Sequence, residues 1–252
     1  MPPTTAGALR QAARRLSREL RELSFAAPVS HVYDPLDYAR KPHDRYLETY
    51  AKARKRVVFL GMNPGPFGMA QTGVPFGEVG FVRDFLGLEA AVGRPEREHP
   101  KRPIQGFGCE RSEVSGTRVW GAIRSEFGTP GRFFRQFFIA NYCPLLFMEA
   151  SGRNRTPDKL PVAEREALYV ACDRHLRRVV TVLEPSWVVG IGAFASERAQ
   201  TVLGDRVRHA RILHPSPANP RAQKDWAGQA RRELEQQGVC RRARPARAGA
   251  SK

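Results

Sequence analysis

The sequence predicts an α/β fold built on a short, mainly parallel four-stranded sheet. Four apolar runs carry that prediction: Val57–Leu60, Phe138–Cys143, Trp187–Ile191 and Ala210–Leu213. Each is short, rich in Val, Ile, Phe or Leu, and bounded by turn residues, as strands buried on both faces are. Stretches of helical periodicity lie between them, and strands alternating with helices pair in parallel through crossovers. The length, 252 residues of which 41% are hydrophobic, suits one large compact domain.

Taken in order, residues 1–24 place Leu9, Leu16, Leu20 and Leu23 near helical spacing, with five Arg and two Glu among them. They predict a basic N-terminal helix resting on the core. Residues 25–240 then form a single domain. Residues 87–118, rich in Gly and Pro, read as a long connection of the kind that is often functional. Val119, Trp120, Ile123 and Phe127 line one helical face after Ser115-Gly116. Leu168, Cys172, Leu176, Val179 and Leu183 line a second, after Thr156-Pro157, which has the form of a cap and first-turn proline. Asp225 is the expected N-cap of a last helix with Trp226, Ala230 and Leu234 inward. Residues 241–252 hold four Arg and one Lys with no acid. They should be a disordered basic tail, either a solvated extension or a non-specific phosphate-binding arm.

The charge narrows the partner. Lys+Arg number 42 against 25 Asp+Glu, a formal +17, which points to an acidic substrate or a polyanion. The longest apolar runs, such as 186–195, fall short of the roughly 20 residues that span a bilayer, so no membrane partner is expected. The N-terminus has no apolar core of a secretory signal. The cysteines, Cys109, Cys143, Cys172 and Cys240, are at least 29 positions apart. They form no metal knuckle or cluster run, and free thiols in a reducing compartment are expected. The Ala/Arg-heavy composition suggests a bacterial cytoplasm, with the nucleus as the alternative. His99, His175 and His209 lack ligand partners at metal spacing, so they read as surface or core histidines and not as zinc ligands. The acids Glu78, Asp84, Glu110 and Glu113 show no pairing of the glycoside-hydrolase kind and read as salt partners for the excess arginine. Gly190-Ile191-Gly192-Ala193-Phe194-Ala195 fits a dinucleotide fingerprint, yet the acid expected about 20 residues on is missing. Tight strand–helix packing is the better use of those glycines.

In parallel sheets ligands bind beyond the carboxyl ends of the strands. Three polar side chains lie there: Asn63 in Gly61-Met62-Asn63-Pro64-Gly65-Pro66-Phe67-Gly68, Asn141 in Asn141-Tyr142-Cys143-Pro144, and His214 in His214-Pro215-Ser216-Pro217-Ala218-Asn219-Pro220. The segment from Gly61 to Gly77 closely resembles the first motif of the single-strand-selective monofunctional uracil-DNA glycosylases. The His214–Pro220 segment resembles their second, and Asn141–Phe147 with Ser151–Asn154 their middle segments. The resemblance runs from about residue 25 to 238. It implies a three-layer α/β/α fold of the uracil-DNA glycosylase superfamily, no metal or cofactor, and excision of uracil and some oxidised uracils, such as 5-hydroxymethyluracil, from DNA. The chain is expected to act as a monomer on single- and double-stranded DNA.

By the same resemblance, Asn63 holds the attacking water and His214 contacts the uracil carbonyl. Asn141 reads the uracil edge, Phe76 stacks on the ring, and Met62 and Gly65 line the pocket. Ser216, Pro217, Ala218, Asn219, Pro220, Arg221 and Lys224 belong to the wedge that enters the duplex. Ala218 stands where relatives can carry a basic residue, a charge that Arg221 or Lys224 is placed to supply. Other uracil glycosylases carry a tyrosine at the place of Gly65, against uracil C5; a glycine leaves room for a 5-substituent.

These roles agree with the chemistry of the residues. An amide offers one donor and one acceptor, which complement uracil O4 and N3–H and mismatch cytosine. Asn63 is no general base and can only position water. Departure of the uracil anion must then drive the reaction, with a neutral imidazole steadying the charge on O2. No lysine lies in the three strand-end motifs to form a Schiff base. Two alternatives share the charge pattern: an inactive DNA-binding member of the same fold, and a glycosylase of another branch of the superfamily.

Overall fold

Seven strands form two separate sheets in the computed structural model of the chain, which describes residues 4–240. They are β1 (Val29–Tyr33), β2 (Val57–Gly61), β3 (Phe137–Asn141), β4 (Leu146–Glu149), β5 (Asn154–Arg155), β6 (Trp187–Ile191) and β7 (Arg208–Ile212). The central sheet has the order β3-β2-β6-β7, and each neighbouring pair is parallel. Gly61 lies opposite Asn141, and Ile191 opposite Ile212. The strands therefore end together on one edge. Every residue of β2 and of β6 is buried, which explains apolar runs without alternation.

The helices are α1 (Thr5–Arg21), α2 (Pro35–Tyr38), α3 (Arg40–Tyr50), α4 (Met69–Thr72), α5 (Val114–Phe127), α6 (Pro130–Phe134), α7 (Val162–Leu183), α8 (Ala193–Leu203) and α9 (Pro220–Gln236). α8 packs on β6 and β7 and against α7, and α1 lies along α7. α6 packs on β3, α9 on β7, and α5 joins α6 to α9. The result is the expected three-layer α/β/α arrangement. Aromatic rings fill its second interface: Phe133 of α6 stacks on Phe137 of β3 at 5.2 Å, under the fully buried Trp120 of α5. Leu9, Leu16 and Leu20 of α1 are buried in the same core as the strands. Each such leucine stabilises by about 2 kcal/mol relative to exposure.

The differences from the sequence reading have local causes. β3 is shifted to Phe137–Asn141; Tyr142 and Cys143 leave the strand and donate to the carbonyls of Gly61 and Met62 (2.9 Å each). Thr156-Pro157 opens a single 3-10 turn, Pro157–Lys159, and α7 starts only at Val162. Pro161 holds the preceding Leu160 extended (ψ 154°), so the helix cannot run through from Pro157. Ser115 and Gly116 lie inside α5, not before it, which shortens the long connection. Asp225 caps Gly228 N–H at 2.8 Å, as its sequence context predicts. A further turn precedes it, capped by Asn219 on Arg221 N–H (3.0 Å), and the chain bends at Asp225 between the two. Gly190 serves packing: a Cβ there would lie 2.3 Å from the backbone nitrogen of Ser196 in α8.

The second sheet, β1-β4-β5 and antiparallel, is absent from the sequence reading. β1 carries an irregular register between Val29 and His31, and β4 begins with three buried residues, so neither shows a period of two. The tail at 241–252 lies outside the described residues.

Candidate active site

Asn141 ends β3 on the common strand edge, and two loops leaving that edge carry Asn63 and His214. Strand order places β3 and β2 side by side, with β7 two strands from β2. At about 4.8 Å per strand, His214 starts roughly 10 Å away from the Asn63 loop. Gly192, directly after the intervening β6, closes this gap. A Cβ at Gly192 would lie 3.1 Å from His214 Cβ, so only a residue without a side chain lets the imidazole lean across. Its ring centroid then lies 6.3 Å from that of Phe76.

The tautomer of His214 follows from its contacts. Ser216 N–H donates to Nδ1 at 3.1 Å, so Nδ1 is the acceptor and the ring proton sits on Nε2. Burial pushes the imidazole pKa below its ordinary 6.5. The ring is therefore neutral at pH 7 and holds one N–H donor for a developing anion.

Asn141, last residue of β3, donates through Nδ2 to the sulfur of Met69 (3.2 Å). Its Oδ1 is buried and has no hydrogen-bond partner among the described residues. An orphaned acceptor of this kind costs about 1–3 kcal/mol, a cost that a ligand donor can remove. Gly61 makes the space beneath it. A Cβ at Gly61 would meet Asn141 Oδ1 at 2.4 Å and the edge of the Phe76 ring at 2.6 Å, so amide and ring converge on one point. A flat group that donates N–H in its plane suits that corner. Phe76 has positive φ (54°), costly for a residue with a Cβ. Trp120 Nε1–H and Glu78 N–H both donate to its carbonyl (3.1 and 2.8 Å) and hold it there.

Asn63 is half-buried two residues beyond β2. Its Nδ2 points to Leu145 O (3.3 Å) in the segment that follows Asn141. Anchored through nitrogen, the amide keeps its Oδ1 for a donor such as water. Met62, also half-buried, is pinned by Cys143 N–H on its carbonyl. Gly65 meets a neighbour that the sequence did not reveal: a Cβ there would lie 2.3 Å from a carboxyl oxygen of Glu113. Among the described residues Glu113 is thus not a salt partner for arginine: burial raises its pKa, and its carboxyl accepts a single long bond, from Phe67 N–H (3.4 Å).

The loop 213–219 projects beside this corner. Pro217 and Ala218 form an exposed tip, braced by Ala218 N–H on Ser216 Oγ (3.2 Å) and by Asn219 N–H on Ser216 O (3.1 Å). Pro220, Arg221 and Lys224 are exposed on the first turns of α9. Trp226 Nε1–H on Leu213 O (2.7 Å) and Arg118 on Pro215 O (2.8 Å) fix the base of the loop. Arg118 and Trp120 were not legible as site residues, because both sit on α5, far from the strand-end motifs. No group of three or more His, Cys, Asp or Glu able to hold a metal exists among the described residues. No helix there is long and apolar enough to cross a membrane. Cys109, Cys143, Cys172 and Cys240 are free.

Removing the Asn141 amide tests this geometry. Asn141→Ala is expected to lower kcat/KM by about 10²-fold, the scale of two lost hydrogen bonds to a bound ligand. Thermal stability should hold or rise, because the buried orphan leaves with it.

The family model of the uracil DNA glycosylase superfamily matches residues 48–235. A single-strand selective monofunctional uracil-DNA glycosylase of Rattus norvegicus is 50% identical over 228 residues, 89% of this chain and 82% of that protein. Its counterpart from Bos taurus is 48% identical over 241 residues, 94% of this chain and 89% of that one. The crystal structure of Pedobacter heparinus SMUG2 superposes with a TM-score of 0.67 at 18% identity, covering 95% of this chain and all of that one, a likeness of fold. By this family match and these relatives, the chain belongs to the uracil DNA glycosylase superfamily, among the single-strand selective monofunctional enzymes.

Proposed function

We propose that this protein excises uracil, and 5-hydroxymethyluracil with related oxidised uracils, from single- and double-stranded DNA, leaving an abasic site in an uncut strand. The observation that carries this reading is the buried, unpartnered Oδ1 of Asn141 beside the Phe76 ring. Uracil N3–H supplies the missing donor, and its O4 takes the adjacent amide N–H. Cytosine offers a bare N3 there and leaves the orphan in place, the kind of mismatch that rejects an analogue by about 10⁴ or more.

The target base must leave the stack, at a cost of a few kcal/mol in a duplex and less in a single strand. The Pro217–Ala218 tip is shaped to enter the gap, and Arg221 and Lys224 flank it for phosphate. His214 then stabilises the negative charge gathering on O2 as the glycosidic bond lengthens. Asn63 holds the water that captures the oxocarbenium-like sugar. No lysine lies in the loops 61–68, 141–147 or 213–220 to intercept it covalently.

The test is base release from uracil-containing single-stranded DNA by the full chain. We expect free uracil and an abasic site, with no adduct trapped by borohydride. Absence of release sinks the reading, and a trapped adduct sinks the hydrolytic mechanism. For the wedge, the double variant Arg221→Ala/Lys224→Ala should reduce the slope of log affinity against log salt by up to about 2, near 0.9 per lost duplex phosphate contact. Anisotropy titrations between 50 and 200 mM salt, on the order of that range, measure it. An unchanged slope places these cations off the DNA.

A further inference from the structure

The long connection at 87–118 and the segment Ser151–Asn154 meet beside the turn that carries Asn63. Buried Gln71 makes the join. Its Nε2 donates to Pro66 O (2.9 Å) and Pro103 O (3.2 Å), and its Oε1 accepts from the N–H groups of Gln105 and Gly106 (2.9 and 3.0 Å). Phe67, half-buried, stands on this turn. The guanidinium of Arg111 lies 4.0 Å from the centroid of its ring, and that of Arg102 lies 5.6 Å from it. Gly152, at φ 83°, packs against Arg102: a Cβ there would sit 3.5 Å from its Cζ. The ion pair of residues 94–111 is Arg94–Glu98 (3.7 Å), so among the described residues Lys101, Arg102 and Arg111 are left without a carboxylate partner. Arg111 is exposed, so the outer face of its guanidinium is open.

We propose that this cluster binds the single strand flanking the flipped nucleotide: Arg111, laid on Phe67, stacks on an unpaired neighbouring base, while Lys101 and Arg102 take phosphates. The inference rests on the function proposed above and names a contact outside the base pocket. Four residues separate Phe67 from Asn63, a reach of at most about 14 Å, or about four nucleotides at the rise of a stacked strand. Every base has a π-face, and aromatic rings and guanidinium planes stack on it whatever the sequence. Within a duplex those faces are covered by neighbouring base pairs. The stacking contact therefore favours a single strand, whereas a charge contact alone serves both forms.

The experiment measures the anisotropy of a labelled oligothymidylate, which holds no uracil, and of its matched duplex, with wild type, Arg111→Gln and Arg111→Lys. The side chain is exposed, so both replacements leave the core intact. We expect Arg111→Gln to raise Kd for the single strand by about tenfold, the scale of one lost stack, and Kd for the duplex by much less. Arg111→Lys keeps the charge but not the plane and should lose single-strand affinity as Arg111→Gln does. Unchanged single-strand affinity in Arg111→Gln overturns the proposal. Equal losses on the two DNAs, or full rescue by Arg111→Lys, reduce the cluster to a charge contact and overturn the stacking role. Because the probe holds no uracil, failure here is distinguishable from absence of base release, which overturns the function itself.

Discussion

Asn63→Ala is expected to reduce the single-turnover rate of uracil release by at least about 10²-fold, the scale on which misplacing a reactant slows an enzyme. The side chain is half-buried and is held by long amide contacts, 3.3 Å to Leu145 O and 3.5 Å to Pro64 O. Its loss should cost little stability and leave DNA affinity intact. The variant therefore separates binding from chemistry. Anisotropy should show the same complex with uracil-containing DNA, while base release nearly stops. A variant that binds DNA and releases uracil as wild type does would show that water reaches the sugar without this amide, and the catalytic role of the β2 loop would fall.

His214→Ala should lower the single-turnover rate by about 10²–10³-fold, the range measured when one preorganised donor to an oxyanion is removed. The effect belongs in the rate rather than in substrate affinity, because the donor gains strength only as charge gathers on O2. The pH profile gives an independent check. Burial lowers the imidazole pKa below 6.5, so the neutral, active tautomer prevails above that value. As pH falls through the lowered pKa, Nδ1 takes a proton and no longer accepts from Ser216 N–H. The base of the wedge loses a contact, and activity should decline. The acid limb of kcat/KM is thus expected with its midpoint under 6.5, and it should vanish in His214→Ala. A midpoint above 6.5 would contradict the buried, neutral ring.

Both variants act through parts that reach the site from different elements, and the central sheet is what makes them one site. Parallel pairing brings the ends of β2, β3, β6 and β7 to one edge. Gly61 and Gly192 then clear the space between the functional side chains. Trp120 and Arg118, both on α5, hold Phe76 and Pro215 in place. The helix thus braces the carbonyls of Phe76 and Pro215 through one element.

The central strands, the capped turn at Asp225 and the three polar strand-end residues were legible because each rests on local rules. Buried parallel strands are continuous apolar runs, caps are short polar residues, and functional side chains follow strand ends. The sequence alone thus determined the fold class, and its long motif determined the family. What it left out was non-local. The small antiparallel sheet joins Val29–Tyr33 to Leu146–Glu149, segments more than a hundred positions apart with no alternating pattern. Glu113 looked like one acid among many, since nothing near it in the chain marks its contact with Gly65. Only tertiary packing could set that carboxyl against the turn, leave Asn141 Oδ1 without a partner and choose the tautomer of His214. Burial and pairing across distant segments decide those properties, and the order of residues records them only through the folded shape.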